Sequence, residues 1–430
     1  MKGLKALVAL LLAVLLCGGC DPACRKQKDK RYDKVLILYS AGFNSLSDDL
    51  LGDIAELKKG DLPASGDNQA IILISHHPVG RLQYGTKTKP AISRLYRDKK
   101  GNPVLDTLLR LDETDLLTKP EVMTRTLNYV AEKFKADHYG LILASHGTGW
   151  LPAGFYADPD NYNRSSSGSG AKAARHFVFP SGPVPYVEPE PMPGPRVRSY
   201  GEEIVSGNGQ KLSYEMDIKD LATAIPFHFD YILMDVCLMG CVEVAYELRN
   251  TCDQLGFSPT EILADGLVYT KAAAKLLKAG DPDLTGILDD YYDCYAAQSG
   301  DYKSACYSLI DCSKLDALAS ACKTAFEDGR SDIAKVKPSS VQPLFRSYHH
   351  WFYDLKDILD QAGVPSQAVE KALNDCVVYK VHTDSFMPRS GGFDFRVFCG
   401  MSMYLPCNGS DYLDEYYKTL SWNKATSLVQ

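Results

Sequence analysis

Two short stretches carry residue types that could do chemistry. "YILMDVCLMG", residues 231 to 240, closes an apolar run with Asp235 and Cys237; "YGLILASHGTGW", residues 139 to 150, closes a similar run with His146 and Gly147. A cysteine in such a run is by default a small, inert core residue. The same thiol becomes a nucleophile when an imidazolium or a helix N-terminus lowers its pKa from about 8.5 to roughly 3.5–7.5. A helix starting near Gly240 would supply such a terminus and His146 such an imidazole. Gly147 lets its backbone N–H approach a carbonyl oxygen with no side chain in the way, so this N–H and that of Cys237 could form an oxyanion hole.

The elements that must bring these residues together are legible as apolar runs. Residues 34 to 42, 69 to 77, 139 to 147 and 230 to 237 read as strands buried on both faces, and residues 119 to 136 and 241 to 254 as helices between them. Strands alternating with helices predict a mostly parallel α/β sheet. After residue 255, "TEILADG" and "RVFCGMSMYLP" read as strands, "TKAAAKLLKA" and "GILDDYYDCYAAQ" as helices, and "ACYSLIDCSKLDALASACKTAFED" as strand into helix, giving a C-terminal α/β extension. In open α/β sheets reactive groups gather at the carboxyl ends of the strands. His146 and Cys237 both sit at such ends.

These two stretches, the second extended as "DYILMDVCLMGCVEVAYELR", resemble the signature blocks of the clostripain family of secreted bacterial cysteine peptidases, in the clan of caspases, legumain and gingipains. Weaker similarity reaches "VLILYSAG", "LIDCSKLDALA" and "CGMSMYLP". The resemblance implies a caspase-like αβα sandwich, a dyad of Cys237 as nucleophile and His146 as acid and base, and Asp235 as the acid that binds a basic P1 side chain. It also implies maturation by cleavage after Lys or Arg between the two catalytic residues. Ser145 stands where the family often has Asp, and "FSPTEILADGLVYT" replaces a more acidic run that helps wall the S1 pocket in relatives. Rival readings are an inactive member serving as a binding module on the cell envelope, and a peptidase of the same clan with a non-basic P1 preference.

The rest of the chain frames that reading. It has 430 residues with a net charge of -7, and no basic excess points to nucleic acid. Lys2 and Lys5, an apolar run to Leu16, small Gly18 and Gly19 and then Cys20 read as a signal peptide over 1–19. Lipidation of Cys20 would then anchor the protein to the bacterial envelope through a tether over 20–33, with the peptidase domain over 34–430. Cys17 departs from the usual aliphatic residue of a lipidation box, and a plain cleaved signal is the alternative. Apart from Cys17 and Cys20, which bracket the glycine pair, the thirteen cysteines show no C-x-x-C spacing, so no zinc site is expected. Eleven remain after residues 17 and 20, an odd number, so at least one thiol is unpaired. No cofactor is required by this chemistry. Calcium has only the superficial oxygen donors of "DPDNYN", residues 158 to 163. Residues 155 to 212 are rich in Ser, Gly and Pro and read as an exposed insertion, open to nicking at Lys172, Arg175, Arg196 or Arg198. His76 and His77 read as surface-loop residues, His349 and His350 as part of a helix packing patch, and Cys241 as core.

Overall fold

A computed structural model describes residues 30–78, 87–164, 177–188, 192–197, 202–207, 209–346 and 351–430. Cys20, Lys172, Arg175, Arg198, His349 and His350 lie outside the described residues. The centre is a nine-stranded sheet. In chain order its strands are β1 (Tyr32–Ala41), β2 (Gln69–His76), β3 (Ala91–Arg97), β4 (Pro103–Arg110), β5 (Ala136–Ala144), β6 (Phe229–Asp235), β7 (Cys252–Phe257), β8 (Cys306–Asp311) and β9 (Val377–His382). They lie in the order β9-β8-β7-β6-β5-β1-β2-β3-β4. The five strands β7, β6, β5, β1 and β2 are mutually parallel, and an antiparallel pair closes each edge.

The helices follow from the handedness of the crossovers. The step from β1 to β2 runs toward one edge through α1 (Ser47–Lys59). The steps to β5, β6 and β7 run the other way through α2 (Pro120–Lys133), α3 (Ile218–Ala224) and α4 (Val242–Leu248). Right-handed crossovers in opposite directions put their helices on opposite faces. Helix contacts separate accordingly: α1 packs with α5 (Tyr269–Leu276) and α5 with α6 (Leu284–Ala296), whereas α2, α3, α4 and α7 (Leu315–Ile333) form another chain of contacts. The result is a helix–sheet–helix sandwich whose direction reverses between β1 and β5. The expected C-terminal extension is built into this sheet through β8 and β9.

Several expectations need correcting. "TEILADG" is an extended segment whose bridge, at Leu263, is to Val197 and not to the sheet. The strand in this region is β7, which begins inside the end of the stretch read as helix, because α4 ends at Leu248 and Arg249 starts a turn. "RVFCGMSMYLP" contributes only the two-residue strand Ser402–Met403. The insertion is not exposed throughout: Phe155, Val184, Glu202, Glu203 and Ile204 are buried. His76 is no surface residue either, since its Nδ1 pairs with the buried carboxylate of Glu203, which also accepts the Thr118 N–H at 3.0 Å.

The acid of "EVAYE" is structural. Glu243 is fully buried on α4, and its Oε1 accepts the Tyr404 N–H at 2.9 Å and the Tyr417 hydroxyl at 2.6 Å. Burial pushes its carboxyl from 4.5 up to about 7, outweighing the downward pull of these hydrogen bonds. The folded protein therefore keeps a proton that the unfolded chain loses, and stability from this group is full below about pH 4.5 and is lost as pH rises toward 7. At about 1.4 kcal/mol per tenfold in proton affinity, that is on the order of 3 kcal/mol. Glu243→Gln keeps the accepting oxygen without the charge. Thermal melts at pH 5 and pH 8 should show a smaller loss of Tm in the variant than in the wild type.

Candidate active site

Register sets the site. Ser40 pairs with Ala144 and Ala144 with Asp235, so β1, β5 and β6 end level with one another. Ser45, His146 and Cys237 then leave the sheet on three adjacent turns at its carboxyl edge, beside the point where strand order reverses. Asn44 braces the first turn, donating to Ala41 O at 3.0 Å and Glu202 O at 2.8 Å while its own oxygen accepts the Leu46 N–H at 3.0 Å. Ser45 Oγ lies 3.1 Å from His146 Nε2 and orients the imidazole. Sequence reading missed Ser45, because nothing in "AGFNSLS" marks which polar residue faces the histidine.

The second and third turns are in direct contact. A Cβ built on Gly147 would lie 2.2 Å from Val236 Cγ1 and 2.7 Å from Cys237 O, so only glycine permits this approach. Trp150, fully buried against Tyr404 and Tyr417, anchors the far end of the histidine turn. His146 and Gly147 also wall a mainly apolar cleft with Leu117, Met234, Val236 and Met239.

The support of the sulfur differs from expectation. Leu238 takes φ +62°, turning the chain so that Leu238 N donates to Thr260 O at 2.9 Å and Gly240 N to Ser258 O at 2.7 Å. The turn thereby runs along residues 258–262, and Cys237 Sγ accepts the Ile262 N–H at 3.0 Å. This backbone N–H, which sequence reading did not foresee, is held against the sulfur. Cys241, at the N-terminus of α4, is core as expected, and burial raises its thiol well above the usual range. Asp235 is buried, its Oδ2 accepting the Tyr269 hydroxyl at 2.8 Å and the Leu267 N–H at 3.3 Å.

Part of the insertion is seated over these turns. Val197 bridges Leu263 antiparallel and the Ala264 N–H donates to Arg196 O at 2.9 Å. The Arg196 guanidinium donates to Ser45 O at 2.7 Å and pairs with Asp49 at 3.0 Å. Gly194 has φ +99°, and a Cβ there would come within 2.6 Å of Ser390 Oγ. The segment thus touches both the serine beside His146 and the extended segment that continues from Ile262.

The family model described as the Clostripain family matches residues 207–428. The chain belongs to the clostripain family. Clostripain of Hathewaya histolytica is 23% identical over 461 residues, covering 91% of this chain and 78% of its own. An inactive zymogen C11 protease from Parabacteroides distasonis superposes with a TM-score of 0.69 at 26% identity, covering 92% of this chain and 98% of its own. A secreted C11 cysteine protease from Bacteroides thetaiotaomicron, in complex with an irreversible peptide inhibitor, gives 0.68 at 25% with the same coverage. With these relatives and this fold, the protein is a cysteine endopeptidase of the mixed α/β, mostly parallel type.

The ten described cysteines are free thiols, with Cys252 and Cys312 sulfurs 3.7 Å apart. Asp158 and Asp160 flank the start of a short helix, Pro159–Arg164, and among the described residues no three His, Cys, Asp or Glu side chains are grouped to hold a metal. No helix of the described residues is long and apolar enough to cross a membrane.

Proposed function

We propose that Cys237 and His146 form the catalytic dyad and that the enzyme cuts after Arg or Lys. The observation that carries this reading is the contact of the Gly147 turn with the Cys237 backbone at adjacent, level strand ends. His146 takes the thiol proton, Cys237 Sγ attacks the scissile carbonyl carbon, and the Gly147 and Cys237 N–H groups hold the resulting oxyanion. His146 then protonates the departing amine, leaving a thioester that water hydrolyses to free acid and thiol. Asp235 offers the carboxylate for a basic P1 head group beneath the loop at Leu267 and Tyr269. The test is hydrolysis of fluorogenic peptides ending in Arg, Lys, Asp, Asn and Leu by wild type and Cys237→Ala, with and without calcium. Cysteine-dependent cleavage after Arg or Lys supports the reading, and no cleavage of any peptide, even after residues 155–212 have been nicked with trypsin and the trypsin removed, favours the binding module.

Asp235→Asn keeps an acceptor for the Tyr269 hydroxyl and the Leu267 N–H but removes the charge. Losing a buried charge partner costs about 2–5 kcal/mol, so kcat/KM for Arg peptides should fall about 100-fold. Equal losses on Arg and Leu peptides would place the specificity acid elsewhere.

The uncut chain is read as a latent form. Arg196 and Val197 pair with Leu263 and Ala264 as a short added strand, the mode in which an extended substrate would bind. Self-cleavage within 155–212 would release them. Gly194→Ala forces a side chain into the left-handed region and against Ser390, and should raise the activity of the uncut chain several-fold. In this reading the signal peptide 1–19 is removed, Cys20 carries lipid at the envelope, and the chemistry requires no metal, with calcium dependence read from the two calcium arms of the test.

A further inference from the structure

The sulfur rests on the Ile262 N–H, and the orientation of that peptide has an identifiable support. Glu261, its neighbour, is fully buried, and Oε2 accepts from Arg346 Nε at 2.8 Å. Arg346 is itself almost wholly buried and comes from a loop 85 residues away. Its Nη1 donates to the carbonyl of Pro193, in the seated part of the insertion, and to Ser390 O at 3.4 Å. Ser390 is fixed in turn, its Oγ donating to Asp301 and the adjoining Arg389 N–H donating to the same carboxylate at 2.8 Å. A guanidinium is planar with donors in a fixed fork, so one side chain holds two segments at a set separation.

We propose that Arg346 is a positioning residue with two tasks. Through Glu261 it fixes the 260–262 peptide that holds the Cys237 sulfur, and through the Pro193 carbonyl it seats the insertion segment of the uncut chain. The inference rests on Cys237 as nucleophile. It assigns Arg346 no contact with substrate. Its effect is on the attack step and on release of the insertion. A buried pair stripped of one partner leaves an uncompensated charge and can unfold the protein, so Arg346→Met is made together with Glu261→Gln, which removes both charges at once. Arg346→Lys is the conservative companion, since an ammonium can pair with Glu261 but lacks the fork needed to reach Pro193 as well.

The experiment measures three rates, with melting temperatures alongside: trypsin nicking within 155–212 on the uncut chain and then, on each variant once fully nicked and freed of trypsin, alkylation of Cys237 by iodoacetamide, read by peptide mass spectrometry, and peptide turnover. The paired replacement should slow alkylation and kcat at least about 10-fold with KM within about twofold, and nick at least about threefold faster. Arg346→Lys should recover most of kcat yet nick as fast as the paired variant. A folded paired variant with wild-type alkylation and kcat overturns the first task, and wild-type nicking in Arg346→Lys overturns the second. If peptide cleavage persists in Cys237→Ala, the nucleophile assignment itself fails, an outcome separate from the alkylation and nicking rates.

Discussion

Cys237→Ala is expected to abolish peptide cleavage, by about 10⁴-fold or more, and to leave the insertion uncut in the same purified protein. The difficulty is that Cys237 is fully buried and its sulfur accepts the Ile262 N–H. Alanine leaves that N–H without its acceptor, which costs about 1–3 kcal/mol, so a lost activity could be blamed on structure. Cys237→Ser separates the causes, because the hydroxyl can accept the same N–H yet is a far poorer nucleophile than a thiolate. Both variants should be inactive, with serine melting closer to wild type. Cys241 is no substitute nucleophile, since burial and the neighbouring Glu243 keep its thiol protonated. Activity surviving in either pure variant would move the nucleophile away from Cys237.

The parallel core was readable because its strands are buried on both faces and appear as unbroken apolar runs, as in "KVLILY" and "YILM". The antiparallel edges were not. β4 is largely exposed along "PVLDTLLR", and β9 alternates partly buried residues with exposed ones, so neither has an apolar run to recognise. "TEILADG" misled for the opposite reason. Its apolar residues are buried beside the Cys237 turn, not in the sheet, and burial alone does not tell these apart. At the site, the level ends of β5 and β6 were implied by the two runs and their terminal residues. The pairing of Glu261 with Arg346 and the seat for Gly194 were not, because contacts 85 residues apart or across an insertion leave no local signal.

Gly147→Ala should damage activity far more than it damages folding. The added Cβ would meet Val236 Cγ1 at 2.2 Å and Cys237 O at 2.7 Å, both far inside contact distance. The histidine and cysteine turns must then move apart, and the two N–H groups proposed for the oxyanion move with them. Loss of one such donor costs about 10²–10³ in kcat, while overpacking of this kind costs about 1–3 kcal/mol of stability. The expected result is a folded protein with a lowered Tm and kcat down at least about 100-fold. Val236→Ala supplies the discriminating arm. It removes Cγ1 but not the backbone oxygen of Cys237, so the double variant should regain most of the lost stability and little of the lost kcat. Full recovery of kcat in the double variant would mean that side-chain packing alone was disturbed, and would take Gly147 out of the oxyanion hole.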